Sequence, residues 1–413
     1  MDRRIASIAV ALAAFAVAFG GLSLVNGGPE ARSERAAVPR SAARDVEGWV
    51  ARADGHLQAV RETGDASQYA RAETLLRRAA GVRPRDSGVL VGLGNLALAR
   101  HEFRAALRHG RAARVAAPET VRPYAVLVDA LIELGRYEEA GRSLQRMIDL
   151  KPNLASYARV SYFKELHGDL PGAIEAMELA VSAGSGTAEG VAYVQTLLGN
   201  LEFERGRIAP SRRAYLLALQ QFPGHVPAEA GLARVDAATG RLARAIARMQ
   251  RIVDRLPLPE HVVTLGELEL AAGRRAAATE RFALVDAQRR LLASAGVNTD
   301  VEIALSEADH GDVRRAVRLG RAAWRAAPSI RSADALAWAL TRAGRAKEGL
   351  RMARRAVKLG SRDPLILTHA GLTARLAGDR ALARRYLSRA LEGNPRFSAL
   401  WAPRAHRALE AVS

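Results

Sequence analysis

Pro84, Pro118 and Pro152 stand 34 residues apart, and Pro223 and Pro257 repeat the same step. A chain punctuated at that interval is built from copies of one short unit, and such a unit cannot bury its apolar faces alone. It must stack on its neighbours into an array.

The other positions of the unit keep the same register. Small residues recur at one matched place, as Ala72, Ala106, Ala140, Ala245, Ala316 and Ala383 with Ser211 as the hydroxyl variant, and again seven residues on at Ala79, Ala113, Ala218, Ala323 and Ala390. These are points where two helices must approach closely. Between them falls a glycine free to take positive φ, at Gly135, Gly168, Gly206, Gly240, Gly273, Gly311, Gly344 and Gly378. The dipeptide Leu-Gly recurs as Leu93-Gly94, Leu198-Gly199 and Leu265-Gly266, with Ala370-Gly371 in the last unit. Composition supports helix throughout. The chain is 49% hydrophobic but only 5% aromatic, so its apolar surface comes from Ala, Leu and Val, and Ala, Leu and Arg are strong helix formers.

With these phrases in place the chain resembles the tetratricopeptide-repeat family, in an exported bacterial form, over about residues 53–395. The family's usual Trp and Tyr in the first helix are mostly absent. The resemblance implies an all-α, right-handed superhelical solenoid of about ten helix-turn-helix units, starting near residues 53, 87, 121, 154, 192, 226, 259, 297, 330 and 364. It also implies that the first helix of each pair (helix A) lines a concave groove and the second (helix B) forms the outer face. Short insertions are expected around Gly184-Ser185-Gly186 and between Asp286 and Val297, the latter as a prolonged helix.

The domain plan follows. Arg3 and Arg4 precede the uncharged run Ile5 to Val25, which reads as a secretory signal peptide or an uncleaved N-terminal transmembrane anchor over 1–27. Either reading puts the repeats outside the cytoplasm, secreted, periplasmic or held at the membrane. Residues 28–48 lack helical periodicity and read as a flexible linker, 49–395 as the repeat array, and 396–413, with Phe397, Leu400 and Trp401, as a C-terminal capping helix.

Chemistry is hard to place in such a chain. It has no cysteine, which excludes disulfides and thiolate metal sites. Its nine histidines form no His-Glu-x-x-His pattern. Asp309-His310-Gly311-Asp312 looks ligand-like but falls on a turn between helices A and B, where solvated polar residues are expected. Gly92-Leu93-Gly94-Asn95-Leu96-Ala97 fits a loose dinucleotide fingerprint without the strand that motif needs. The expectation is a non-enzyme with no cofactor and no metal.

Partners are then the function. The resemblance places the ninth residue of each unit on the groove: Arg61, Asn95, Asp129, Tyr162, Asn200, Arg234, Glu267, Leu305, Trp338 and Leu372. Asn95, Asp129, Tyr162, Asn200, Arg234, Glu267 and Trp338 are the expected partner-binding set, with Trp338 anchoring an extended peptide and the asparagines hydrogen-bonding it. Val91 and Thr196 stand where some family members carry lysines that clamp a C-terminal carboxylate, which argues against that activity. The net charge of +19 and pI near 11.1 leave two readings open: an Arg-rich composition without function, or attraction to a polyanion or anionic membrane surface, nucleic acid being disfavoured. Runs such as Arg241, Arg244, Arg248 and Arg251 lie on B helices, so the excess positive charge is expected outside and acids such as Glu165 and Glu204 in the groove.

Overall fold

The computed structural model describes residues 40–413 apart from 185 and 186. The described residues form helices, with no strand among them. In chain order these are α1 (Arg40–Thr63), α2 (Ser67–Val82), α3 (Ser87–Ala99), α4 (Phe103–Ala116), α5 (Val121–Glu133), α6 (Tyr137–Leu150) and α7 (Leu154–Leu166). There follow α8 (Leu170–Ser182), α9 (Ala188–Glu204), α10 (Ile208–Gln221), α11 (Val226–Ala238), α12 (Leu242–Arg255), α13 (Pro259–Ala271) and α14 (Arg275–Ser294). The last are α15 (Asp300–His310), α16 (Val313–Ala326), α17 (Ile330–Arg342), α18 (Ala346–Ala356), α19 (Pro364–Leu376), α20 (Arg380–Gly393) and α21 (Trp401–Glu410).

Odd-numbered helices from α1 to α19 are the A helices of ten units, each packed on its own B helix and on the unit that follows, which is a tetratricopeptide-repeat solenoid. α21 packs on α20 and α19 at the end. The A helices start where the sequence offers a cap. Asp86 accepts from the amide of Val89, Asn153 and Ser156 form a reciprocal capping box, and Ser329 and Ser332 form another.

Helix pairs close on the small positions: Ala72, Ala106, Ala140, Ser211, Ala245, Ala316 and Ala383 are all fully buried. The glycines of helix A serve the same end. Gly199 and Gly231 flank the ring of Tyr215, and a Cβ at Gly199 would lie 2.6 Å from a ring carbon. The aromatic that the family usually carries on helix A is here supplied by helix B, with glycine opposite it.

Two expectations are corrected. The linker over 28–48 ends earlier than its composition suggested, because α1 starts at Arg40 and buries Val46 beneath Trp49 and Val50 in the first unit's core. The transmembrane anchor is withdrawn. No helix among the described residues is long and apolar enough to cross a membrane, and the run at 1–27 lies outside those residues.

The superhelix winds tightly enough to meet itself. Asn298 donates its amide to the carbonyl of Arg100 (3.1 Å), and the same residue's carbonyl meets His101 Nδ1 at 2.6 Å. Arg104 donates to the carbonyls of Arg325 (2.9 Å) and Ala326 (3.1 Å). Ile330 donates its amide to the Tyr137 hydroxyl (2.9 Å), and Asn394 Nδ2 donates to the Phe203 carbonyl (2.8 Å). Each bond joins an A–B turn or helix end of units two to five to the end of a B helix, the start of an A helix or the segment between them near the other end of the array. The partners are 191 to 222 residues apart in sequence. At a 34-residue period that is about six units per turn. Glycine makes the approach possible: Gly168, at φ +77°, sits so close to the carbonyl of Gly360 that a side chain would overlap it.

Candidate functional site

Closure turns the concave face into an interior. Two adjoining cavities, of about 270 Å³ and 200 Å³, are lined by A helices from both ends of the array and share Glu204, Leu365 and Asp363.

The larger cavity gathers three of the expected groove residues, Asn200 on α9, Arg234 on α11 and Glu267 on α13, beside Trp401 of the capping helix. They are held in place by one another. Asn200 Oδ1 accepts from the Tyr215 hydroxyl (2.8 Å) and from Arg234, and Arg234 also donates to Tyr215 (3.1 Å). Glu267 Oε1 accepts from Trp401 Nε1 at 3.0 Å.

Tyr162 lines the smaller cavity. There the walls carry Glu165, Glu204, Glu302, Asp334 and Asp363 against the guanidiniums of Arg331 and Arg362. Arg331 is drawn to Glu302 (3.5 Å) and Glu133 (4.0 Å), and Asp334 is paired with His369 (3.1 Å). Among the described residues no hydrogen bond or ion pair engages the carboxylates of Glu165 and Glu204, although the charge of Arg234 acts on Glu204. Both are held away from bulk water, and their acidities show it. Burial, then the charge of Asp363, pushes Glu165 up to about 8. Burial, then Glu165 and Asp363, raises Glu204 well above the usual carboxylate range. Asp363 is raised by burial as well, against the amide hydrogen bonds it accepts as the cap of α19. Acids fill the inside of a chain whose net charge is +19.

Asn95, Asp129 and Trp338 are not among the residues that line these two cavities. Asn95 is buried. Asp129 is spent on Arg159, which donates Nε at 2.9 Å and a terminal nitrogen at 2.7 Å, both partners buried. Trp338 is 3% exposed. Its ring stacks on His369 at 4.5 Å and meets Trp401 edge-on at 5.8 Å, while Nε1 donates to Asp309 at 2.6 Å, so it seals the cap onto the array and cannot anchor a peptide. Sequence reasoning missed Glu302, Asp334 and Asp363 as lining residues, because only closure brings them opposite Tyr162 and Glu165.

Arg212, Arg241, Arg244 and Arg248 all lie within 3.1–3.6 Å of the one buried carboxylate of Asp236.

The tetratricopeptide-repeat family profile matches residues 121–154, which span α5 and α6 and the start of α7. None of the curated proteins matches the chain. Among solved structures, a tetratricopeptide-repeat protein of Parabacteroides merdae is similar at 16% identity, covering 61% of this chain and 99% of its own, with a TM-score of 0.42. The thermophilic tetratricopeptide-repeat protein TTC0263 of Thermus thermophilus is similar at 22% identity over 44% of this chain and 94% of its own, TM-score 0.39. Human IFIT1, solved as a dimer with PPP-AAAA, is similar at 15% identity over 85% of each chain, TM-score 0.47. The family model thus matches one helix pair of the ten, and the likeness to the solved structures is one of fold.

Proposed function

We propose that this protein is a non-catalytic interaction scaffold that receives a cationic segment of a partner protein in the interior of its superhelix. The observation that carries the reading is the trio Glu165, Glu204 and Asp363. Three carboxylates from α7, α9 and the cap of α19 converge on one cavity, where burial and acidic neighbours raise Glu165 and Glu204 and, at Glu204, outweigh the opposing charge of Arg234. Holding like charges together out of water is unfavourable, and a lysine or arginine side chain entering the space relieves it. A flexible basic segment fits the size of the space better than a folded surface does, because two joined cavities of this volume admit a few side chains and not a domain.

The test is fluorescence anisotropy with labelled basic, neutral and acidic peptides of equal length. The basic peptide is expected to bind with a steep salt dependence, and the double substitution Glu165→Gln with Glu204→Gln to weaken it by about tenfold or more, the loss of one or two charge-assisted contacts. Equal binding of the acidic peptide, or no change in the double variant, would overturn the reading. Export is proposed on the sequence of 3–25 alone. Recovery of the mature protein from the cell with its N-terminus intact and its repeats in the cytoplasm would rule it out.

A further inference from the structure

We propose that Glu267, Asp309 and His310 form a binding site for a divalent first-row transition ion of the zinc class, with one coordination position open to the larger interior cavity. Glu267 is on α13, and Asp309 and His310 are the last two residues of α15. One ligand atom from each of the three lies within 4.8 Å of the others, a spread that one cation can draw together. Glu267 Oε1 and His310 Nε2 stand at 3.4 Å, too long for a strong hydrogen bond and near the separation of two ligands on one ion.

The supports of a metal centre are also present. Trp401 donates Nε1 to Glu267 Oε1 (3.0 Å) and Trp338 donates Nε1 to Asp309 Oδ1 (2.6 Å), so an indole orients each carboxylate, and Oε1 of Glu267, the oxygen that faces His310, keeps a second lone pair for the ion. The imidazole of His310 lies parallel to the ring of Phe282 at 3.8 Å, which fixes its plane. Two carboxylates and a neutral imidazole balance the charge of a divalent cation, and an imidazole in the set favours zinc, copper, iron or nickel over calcium.

A second observation comes from outside the trio. His369 is 1% exposed and lodged between the same two indoles, stacked on Trp338 at 4.5 Å and edge-on to Trp401 at 5.4 Å. Its Nδ1 faces Asp334 at 3.1 Å, and its Nε2 has no partner. A buried ring nitrogen left unspent beside the two side chains that orient Glu267 and Asp309 points to a ligand in the space they frame. Because Glu267 lines the larger cavity with Asn200 and Arg234, an ion held there meets whatever enters it.

The experiment uses the full chain stripped with chelator. Zinc chloride is titrated by calorimetry, and cobalt chloride by visible absorption together with tryptophan emission. One equivalent is expected to bind, with a cobalt absorption band and quenching of the two indoles that contact the ligands. His310→Ala is expected to abolish the stoichiometric site. Asp309→Asn, which keeps the acceptor for Trp338 and decides the matter if the alanine variant fails to fold, is expected to weaken it by about a hundredfold or more, and Trp401→Phe by about ten- to a hundredfold as loss of an orienting donor does. The proposal is overturned if no stoichiometric binding occurs, or if both ligand variants, folded by circular dichroism, bind zinc as the parent does.

Discussion

Glu165 offers a direct test of the acidic interior. In the folded chain its carboxyl titrates at about 8, against 4.5 for an ordinary glutamate, through burial first and the charge of Asp363 second. The folded state therefore holds the proton more tightly than the unfolded state does. The stability this gives is fully present below pH 4.5, falls as pH rises, and is lost once pH passes 8. A shift of that size corresponds to at most about 5 kcal/mol at 1.36 kcal/mol per unit, and about half of it remains once water in the cavity screens a half-buried group.

Glu165→Gln removes the titration while keeping the shape. At pH 5 the variant and the parent should have the same stability, and at pH 8.5 the variant should be more stable by about 2–3 kcal/mol. Urea unfolding followed by circular dichroism reads the difference as a shift in midpoint at unchanged slope. The same physics fixes the pH dependence of binding: a cationic segment displaces protons from the trio, so its affinity should rise between pH 6 and 8.5 in the parent and less so in the variant. Parallel pH profiles for the two proteins, or a variant that is less stable at both pH values, would refute the reasoning. Either result would mean that the carboxylate is solvated and that the interior is not the enclosed acidic space inferred from the walls.

Gly231→Ala should lower stability by about 1–3 kcal/mol, because its methyl group must displace the Tyr215 ring that Gly199 confines from the other side; thermal unfolding measures it. Asp236→Asn should cost about 2 kcal/mol, less than breaking a fully buried pair since most of its four arginines reach water, and the loss should be larger at low salt, where their repulsion is unscreened. Asn394→Ala removes the hydrogen bond to Phe203 across the superhelical turn and should cost about 1–2 kcal/mol, with faster amide exchange in the turn after α9 and in the segment after α20 than in the units between them.

The unit was legible in the sequence and the winding of the units was not, and the reason lies in where each is encoded. A helix start needs only a local cap and a local period: the expected unit starts at 87, 121, 154, 226, 259, 330 and 364 coincide with the first residues of α3, α5, α7, α11, α13, α17 and α19. Asp363, by contrast, reads locally as nothing more than the cap of α19, yet it meets Glu165 because Gly168 passes Gly360 at close range. That proximity sums small rotations over about six units, each set by side-chain packing, and no local pattern reports the sum. The same reasoning explains Trp338, placed on the groove line by its register but covered by α21, and the meeting of Glu267 with His310, 43 residues apart in sequence. The insertion between Asp286 and Val297 shows the two levels meeting. Locally it lengthens α14, as expected, and it also delivers Asn298 to the backbone of Arg100. His101 there takes a φ of +59°, the left-handed conformation that glycine supplies at the corresponding turns of later units. A strained residue at a turn is retained when its surroundings hold it, and here the surroundings are the other end of the chain. Closure is thus written into the sequence at the points where the repeat departs from its own consensus, the 286–297 insertion and the missing turn glycine at His101, and those departures are where a search for other closed members of the fold should begin.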